Sequence, residues 1–235
     1  MNDDPPSSGA ADDLDYGATL KGLRSGLKVF RRFSLERQLG RGGMGVVWLG
    51  RDERLDRAVA LKFIPEMVQG DAVALDELRG ETNRSLALTH PHIVRIHDLA
   101  EDAGLAAIVM EYVEGRTLSD LRLSQPGKVF EVPEINGWVG QLCEALTYAH
   151  GRKIVHRDLK PSNLMIDGEG RLRVMDFGIA GSLTDSMSRL SAAAMPASGT
   201  LVYMSPQQAM GDPPSVADDI YSLGATLYEL LTIAF

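Results

Sequence analysis

Residues 154–181 read IVHRDLKPSNLMIDGEGRLRVMDFGIAG, and the fold is decided there. Apolar Ile154 and Val155 predict a short strand that delivers the chain to His156, Arg157 and Asp158, with Lys160 and Asn163 at fixed offsets. Leu164-Met165-Ile166 is a short apolar run, Asp167-Gly168-Glu169-Gly170 is a turn signal, and Leu172-Arg173-Val174 alternates as a strand does. Asp176-Phe177-Gly178 follows at once. One hairpin would thus present Asp158, Lys160, Asn163 and Asp176 at one end. Those groups suit phosphoryl transfer: a carboxylate to orient a hydroxyl, a carboxylate with an amide to hold a metal ion, and a cation for the moving phosphate.

The composition sets outer bounds. The chain has 235 residues, 44% of them hydrophobic and 24% charged, as in an ordinary globular protein large enough for one big domain or two lobes. Its net charge of −8 argues against a nucleic-acid-binding surface. A lone Cys143 excludes an internal disulfide framework and suits a reducing compartment. No signal-peptide core stands at the N-terminus and no apolar run reaches the ~18 residues of a membrane span. A cytoplasmic location follows as the expectation. Residues 1–26 are acidic and rich in Pro, Ser and Gly, and predict a disordered arm.

Outward from the central stretch, Phe33-Ser34-Leu35 begins a strand that runs into Gly40-Arg41-Gly42-Gly43-Met44-Gly45. Dinucleotide-binding folds share this glycine spacing, but there the glycines open a helix. Here the β-branched and aromatic run Val46-Val47-Trp48-Leu49 predicts a strand. A glycine hairpin of this kind can fold its backbone amides over phosphates. Ala58-Val59-Ala60-Leu61-Lys62 is the next strand, with a cation at its inner end. A helix over roughly residues 75–88 carries Glu77 and Glu81. Ala106 to Met110 reads as a buried strand running into Glu111-Tyr112-Val113-Glu114-Gly115. Pro133 opens a helix whose Trp138, Leu142, Ala145, Leu146 and Ala149 recur at helical spacing, with Gly151 placed as its C-terminal cap. His90, His92 and His97 lack the spacing of a metal site and read as structural.

HRDLKPSN and DFG, preceded in order by the glycine hairpin, Lys62 and Glu81, closely resemble the motifs of protein kinases. Lys160 two residues beyond Asp158 is the pattern of the serine/threonine class, in its bacterial, eukaryotic-like form. The resemblance implies an α+β, two-lobed fold: a small antiparallel-sheet lobe with one helix over residues 27–110, then a hinge and a mainly helical, incomplete lobe over 111–235. It implies ATP and Mg²⁺ as nucleotide and metal. Asp158 would orient the incoming hydroxyl and Lys160 would stabilise the transferring phosphoryl, with Thr200 in contact with both. Asn163 and Asp176 would hold the metal. Lys62 would hold the α/β-phosphates, with Glu81, chosen over Glu77 by its spacing from His90-Pro91, as its partner. The nucleotide would lie against Gly40, Gly42, Gly45, Val47, Ala60, Met110 and Met165. Adenine would bond the carbonyl of Glu111 and the amide of Val113, with Glu114 and Asp120 near the ribose.

Partners implied are proteins with Ser/Thr acceptors, with no nucleic acid and no membrane segment within the chain. Ser and Thr residues between 183 and 200, with Arg157 available to a phosphate, point to autophosphorylation and a kinase–kinase dimer that performs it. Two departures from the family pattern stand out. Ala-Pro-Glu is replaced by Ser205-Pro206-Gln207, which loses an ion-pair carboxylate, and the family's later helices are not in the sequence. A nucleotide-binding pseudokinase or regulatory scaffold is the alternative reading, and a small-molecule phosphotransferase a third. The closing stretch IYSLGATLYELLTIAF is apolar on almost every face and predicts a buried helix, poorly soluble when its covering is absent.

Overall fold

The computed structural model describes residues 20–42, 45–102, 104–179, 183, 186 and 201–233. Strands β1 (Lys28–Val29), β2 (Phe33–Gly42), β3 (Gly45–Asp52), β4 (Arg57–Phe63), β5 (Ile96–Asp102) and β6 (Leu105–Glu111) form one antiparallel sheet in the order β1-β2-β3-β4-β6-β5. Alternation along β4 and β6 decides which side chains face the site. Val59, Leu61 and Phe63 join Ala107 and Val109 in the outer cluster. Ala60, Ile108 and Met110 join the inner one, against the helical layer. Lys62, being on the parity of Ala60, therefore faces inward.

That layer is α1 (Glu66–Gln69) and α2 (Ala72–Leu86). Asp71 caps α2 by accepting from the Ala74 amide at 2.8 Å. Ala74, Leu78, Thr82 and Ser85 are its buried face, recurring every three or four residues. The helix starts three residues earlier than its apolar spacing predicts.

The outer face of the sheet is covered by the chain's own N-terminal part. Leu20, Leu23, Leu27 and Phe30 pack on the outer cluster, and the Leu20 amide donates to Glu66 at 3.0 Å. The boundary drawn at residue 26 is thereby corrected: residues 20–26 belong to the packed body, because leucines spaced three and four apart find an apolar sheet face. Residues 1–19 lie outside the described residues.

The second lobe is built on β7 (Gly115–Thr117), α3 (Leu118–Ser124), α4 (Val132–His150), β8 (Leu164–Asp167), β9 (Leu172–Val174), α5 (Pro206–Ala209) and α6 (Val216–Leu231). Strands β7, β8 and β9 form a small antiparallel sheet, and the β8–β9 hairpin turns at Asp167–Gly170, as its turn residues predict. Glu131 and Glu134 make a reciprocal capping box at the start of α4. Its Ile135, Leu142, Ala145, Leu146 and Ala149 enter a core shared with Leu159, Leu164, Val174, Phe177 and Leu230.

One local expectation is corrected. Residues 154–155 form no strand; the Ile154 amide turns back onto Ala149 at 3.0 Å. Gly151 caps α4 as expected, right-handed with its amide on the Thr147 carbonyl at 3.0 Å, and the chain reverses at Lys153, with φ of 60°. Helix α6 is covered on one side and bare on the other, as expected: Leu230 is buried, while Val216, Ile220, Tyr221 and Tyr228 are exposed.

Candidate active site

The turn at Lys153 sends the chain from α4 back beneath the small sheet, where α6 receives it. Asp219, fully buried in the first turn of α6, accepts from the amides of His156 (2.8 Å) and Arg157 (2.9 Å), and His150 Nε2 lies 2.7 Å from it. Arg157 takes a left-handed backbone, φ 69°, a strained conformation for a side-chain-bearing residue. The Asp219 carboxylate on its amide, and the Gln208 side chain donating to its carbonyl at 2.7 Å, hold it there. His156 is fixed on both ring nitrogens. Its Nε2 donates to the Met175 carbonyl at 2.8 Å, and its Nδ1 accepts from the Asp158 amide at 3.2 Å. The Phe177 ring stands edge-on to it at 4.7 Å between centroids. The loop bearing Asp158 is thus tied to the loop bearing Asp176 through one imidazole.

Asp158 is 5% exposed, so its carboxylate needs partners. Lys160 Nζ lies 2.9 and 2.8 Å from its two oxygens, and Asn163 Nδ2 donates to Oδ2 at 2.8 Å and to the Asp158 carbonyl at 2.8 Å. With its nitrogen committed to Asp158, Asn163 has its amide oxygen as the end suited to a cation. The Met175 amide donates to the Asn163 carbonyl at 3.0 Å, which sets Asp176 beside this group. Lys62 Nζ reaches Asp176 Oδ2 at 2.7 Å. Burial alone pushes the Asp176 carboxyl up. The charge and hydrogen bond of Lys62, with His156 and Lys160 behind them, more than reverse this and hold it below the ordinary carboxylate value.

Asp158, Lys160, Asn163, Asp176 and Lys62 are therefore gathered at one place, as expected. Glu81 is not on Lys62. Its carboxylate pairs with Arg84 at 2.5 Å, although it borders the same turn: a Cβ on Gly178 would stand 3.5 Å from Glu81 Oε2. Glu77 is 3.4 Å from Ser186. The reason lies in α2, where Glu81 meets Arg84 one turn on, while Lys62 finds Asp176 within reach.

The glycines lie where the hairpin closes, with Gly42 opposite Gly45 and Gly40 opposite Val47. Gly45 cannot be another residue without rearrangement: φ is 119°, and a Cβ would meet the Phe63 carbonyl at 2.1 Å. Val47, Ala60, Met110 and Val113 share one apolar cluster, and Met165 sits on β8 opposite Thr117 and Arg173. Glu111 ends β6 and Val113 follows it. Thr200 lies outside the described residues, as do Ser182, Thr184, Ser188, Ser191 and Ser198. Thr117 caps α3 by accepting from the Asp120 amide at 3.1 Å, and the Asp120 carboxylate accepts from the Thr117 hydroxyl at 2.7 Å.

Three contributors leave no mark in the local sequence. His150 stands behind Asp219, Gln208 holds Arg157, and Ser85 donates to the Phe177 carbonyl at 2.9 Å. Each acts on a residue distant in sequence, and no local pattern announces it. Gln207, where the family has its carboxylate, is exposed. Ser205 beside it caps α5 and bonds Asp218, binding the segment to α6 without that ion pair.

A two-lobed fold with this site defines the class, and the comparisons agree. The protein kinase domain model matches residues 33–235, and the chain belongs to that family. Among relatives, the serine/threonine-protein kinase PknB of Mycobacterium leprae (strain TN) is 43% identical over 206 residues, covering 86% of this chain and 32% of its own length. The serine/threonine-protein kinase PrkC of Bacillus subtilis (strain 168) is 38% identical over 207 residues, covering 88% and 31%. The crystal structure of the Mycobacterium tuberculosis PknI kinase domain superposes with a TM-score of 0.74 at 29% identity, covering 90% of this chain and 78% of that one. The chain spans about a third of the length of the curated relatives it matches. Both of these relatives are bacterial kinases named for serine/threonine specificity.

Proposed function

We propose that this chain transfers the γ-phosphate of ATP to Ser and Thr hydroxyls of proteins, its own segment between residues 183 and 200 included. The observation that carries the reading is the Asp158 carboxylate, buried yet held between Lys160 and Asn163 beside Asp176. In that setting Asp158 takes the proton of the incoming hydroxyl, and Lys160 offsets charge on the phosphoryl in flight. The two oxygen donors Asn163 and Asp176 fit Mg²⁺, which prefers hard ligands and few protein contacts. Bound there, the metal would neutralise phosphate charge. Lys62 would hold the nucleotide phosphates, with Glu81, whose carboxylate borders the same turn, as its partner.

Serine/threonine specificity is supported by Lys160 and by the names of the relatives. A pseudokinase reading is disfavoured, since no catalytic position has lost its functional group. Among the described residues no helix is long and apolar enough to cross a membrane, and we place this domain's work in the cytoplasm.

The test is phosphate transfer from labelled ATP to protein, with and without Asp158. Asp158→Asn should lower kcat by ~10² or more while Mg·ATP affinity stays near that of the parent. Label confined to tyrosine, or a mutant as fast as the parent, would sink the proposal.

A further inference from the structure

One ion pair joins the two ends of the nucleotide site. Arg173 on β9 reaches Glu111 at the end of β6, Nη2 to Oε2, at 2.5 Å. Arg173 stands three residues before Asp176, and its strand is pinned to the first lobe one residue later, where Val174 exchanges backbone bonds with His92 and Val94 at 2.8 Å each. Glu111 is equally fixed. Its amide donates to the Arg95 carbonyl at 2.8 Å, and its Oε2 also accepts from the Arg95 amide at 3.2 Å.

Competition for Arg173 is settled by geometry. Asp167 is the other nearby carboxylate, 3.9 Å away, but it already takes the amides of Glu169 and Arg171 and the Arg171 guanidinium. The Arg173 side chain is only 11% exposed, and its Nε is buried without a hydrogen-bond partner. A charge buried with one donor unmet is a poor stabilising device, since an apolar residue would fill the place at less cost. What only an arginine can do here is span the gap between the lobes with a directional bond.

We infer that Arg173 and Glu111 form a clasp that fixes the distance between the adenine-binding backbone and the carboxylate of Asp176, making both positioning residues for the nucleotide. The inference rests on the kinase reading, in which the Glu111 carbonyl and Val113 amide take adenine and Asp176 takes the metal at the phosphates. A ligand held at both ends binds best when their separation is set in advance, because ordering them on binding costs affinity. Without the clasp the hinge and β9 are joined only through their backbone bonds to residues 92–95, their separation is less sharply set, and nucleotide binding weakens while the chemistry at Asp158 is untouched.

The experiment is a titration of the full-length protein with a fluorescent adenine nucleotide and Mg²⁺, alongside steady-state kinetics and a thermal melt. Arg173→Met should raise both the nucleotide Kd and the KM for ATP about five- to tenfold, with kcat altered less than about twofold. Glu111→Gln, nearly isosteric, should raise the Kd by a similar factor, and the double variant should be no worse than the poorer single one. Arg173→Lys should recover part of the affinity. A Kd within about twofold of the parent in a folded Arg173→Met protein, or additive effects in the pair, would overturn the clasp. If Arg173→Met does not fold, the Kd of Glu111→Gln decides by the same twofold threshold. A parent protein that binds no Mg·nucleotide would instead overturn the kinase reading, which separates the two failures.

Discussion

In the geometry described Lys62 is on Asp176, and Glu81 is on Arg84. If Lys62 passes to Glu81 during turnover, the two must act as a unit. Lys62→Met and Glu81→Gln should each depress kcat/KM strongly, by ~10-fold or more, and the double variant should add little to the worse single one. Simple additivity would make Glu81 a bystander and turn attention to Glu77. Asp158 with Lys160 and Asn163 was legible in the sequence because the three lie within one short loop at fixed offsets. The pairing of Lys62 was not legible, because its candidate partners come from α2 and from the turn after β9. Spacing cannot rank carboxylates that approach from different elements.

Within the first sheet, the end of β3 shows how one buried charge organises a turn. Asp52, fully buried, accepts from Arg32 through both carboxylate oxygens, at 3.0 and 2.7 Å, and its Oδ1 takes the amides of Arg54 and Leu55 as well. The Arg32 hydrogen bond chiefly holds the Asp52 carboxyl below its ordinary value, against burial and with help from the Arg54 amide. A depressed carboxyl contributes stability that is present above its unfolded pKa, about 3.9, and lost as pH falls through the folded one. Asp52→Asn should therefore cost about 1–3 kcal/mol at neutral pH. The gap between parent and variant should narrow as pH drops below about 4 in urea titrations. A gap that stays constant down to pH 2 would remove the charge from the account. The strands themselves were legible, since β-branched runs alternate between turn residues. The packed Leu20, Leu23 and Leu27 were hidden by the acidic, Pro- and Ser-rich stretch before them.

Across the whole molecule, α6 is the part on which the loop at His156 and Arg157 is hung. Its Asp219 gathers two loop amides and His150, so three elements meet on one buried carboxylate. Asp219→Asn keeps the shape but removes one acceptor and turns an amide N–H toward donors. Buried donors left unmet cost about 1–3 kcal/mol each. The variant should melt several degrees lower, by about 4 °C or more, and lose transfer more than nucleotide affinity. A variant with the parent's melting temperature and kcat would show that the loop holds itself. The same helix has an uncovered side, with Ile220, Tyr221 and Tyr228 exposed, as expected of an apolar helix without its covering. Apolarity states what a face prefers to contact, and whether anything lies against it is a matter of tertiary structure.

The sequence by itself determined the class of fold, the order of its motifs and the chemical kinds of group at the site. Those depend on local rules: alternation in strands, spacing in helices, glycine where backbone must approach backbone, and donors and acceptors within one loop. Only the tertiary structure decided which partner each charged group takes. It put Lys62 on Asp176, Glu81 on Arg84, Arg173 on Glu111 and Asp219 under the loop at Arg157. The physical reason is distance. An ion pair or a buried hydrogen bond is won within about 3 Å, and which groups come that close is settled by packing of elements far apart along the chain.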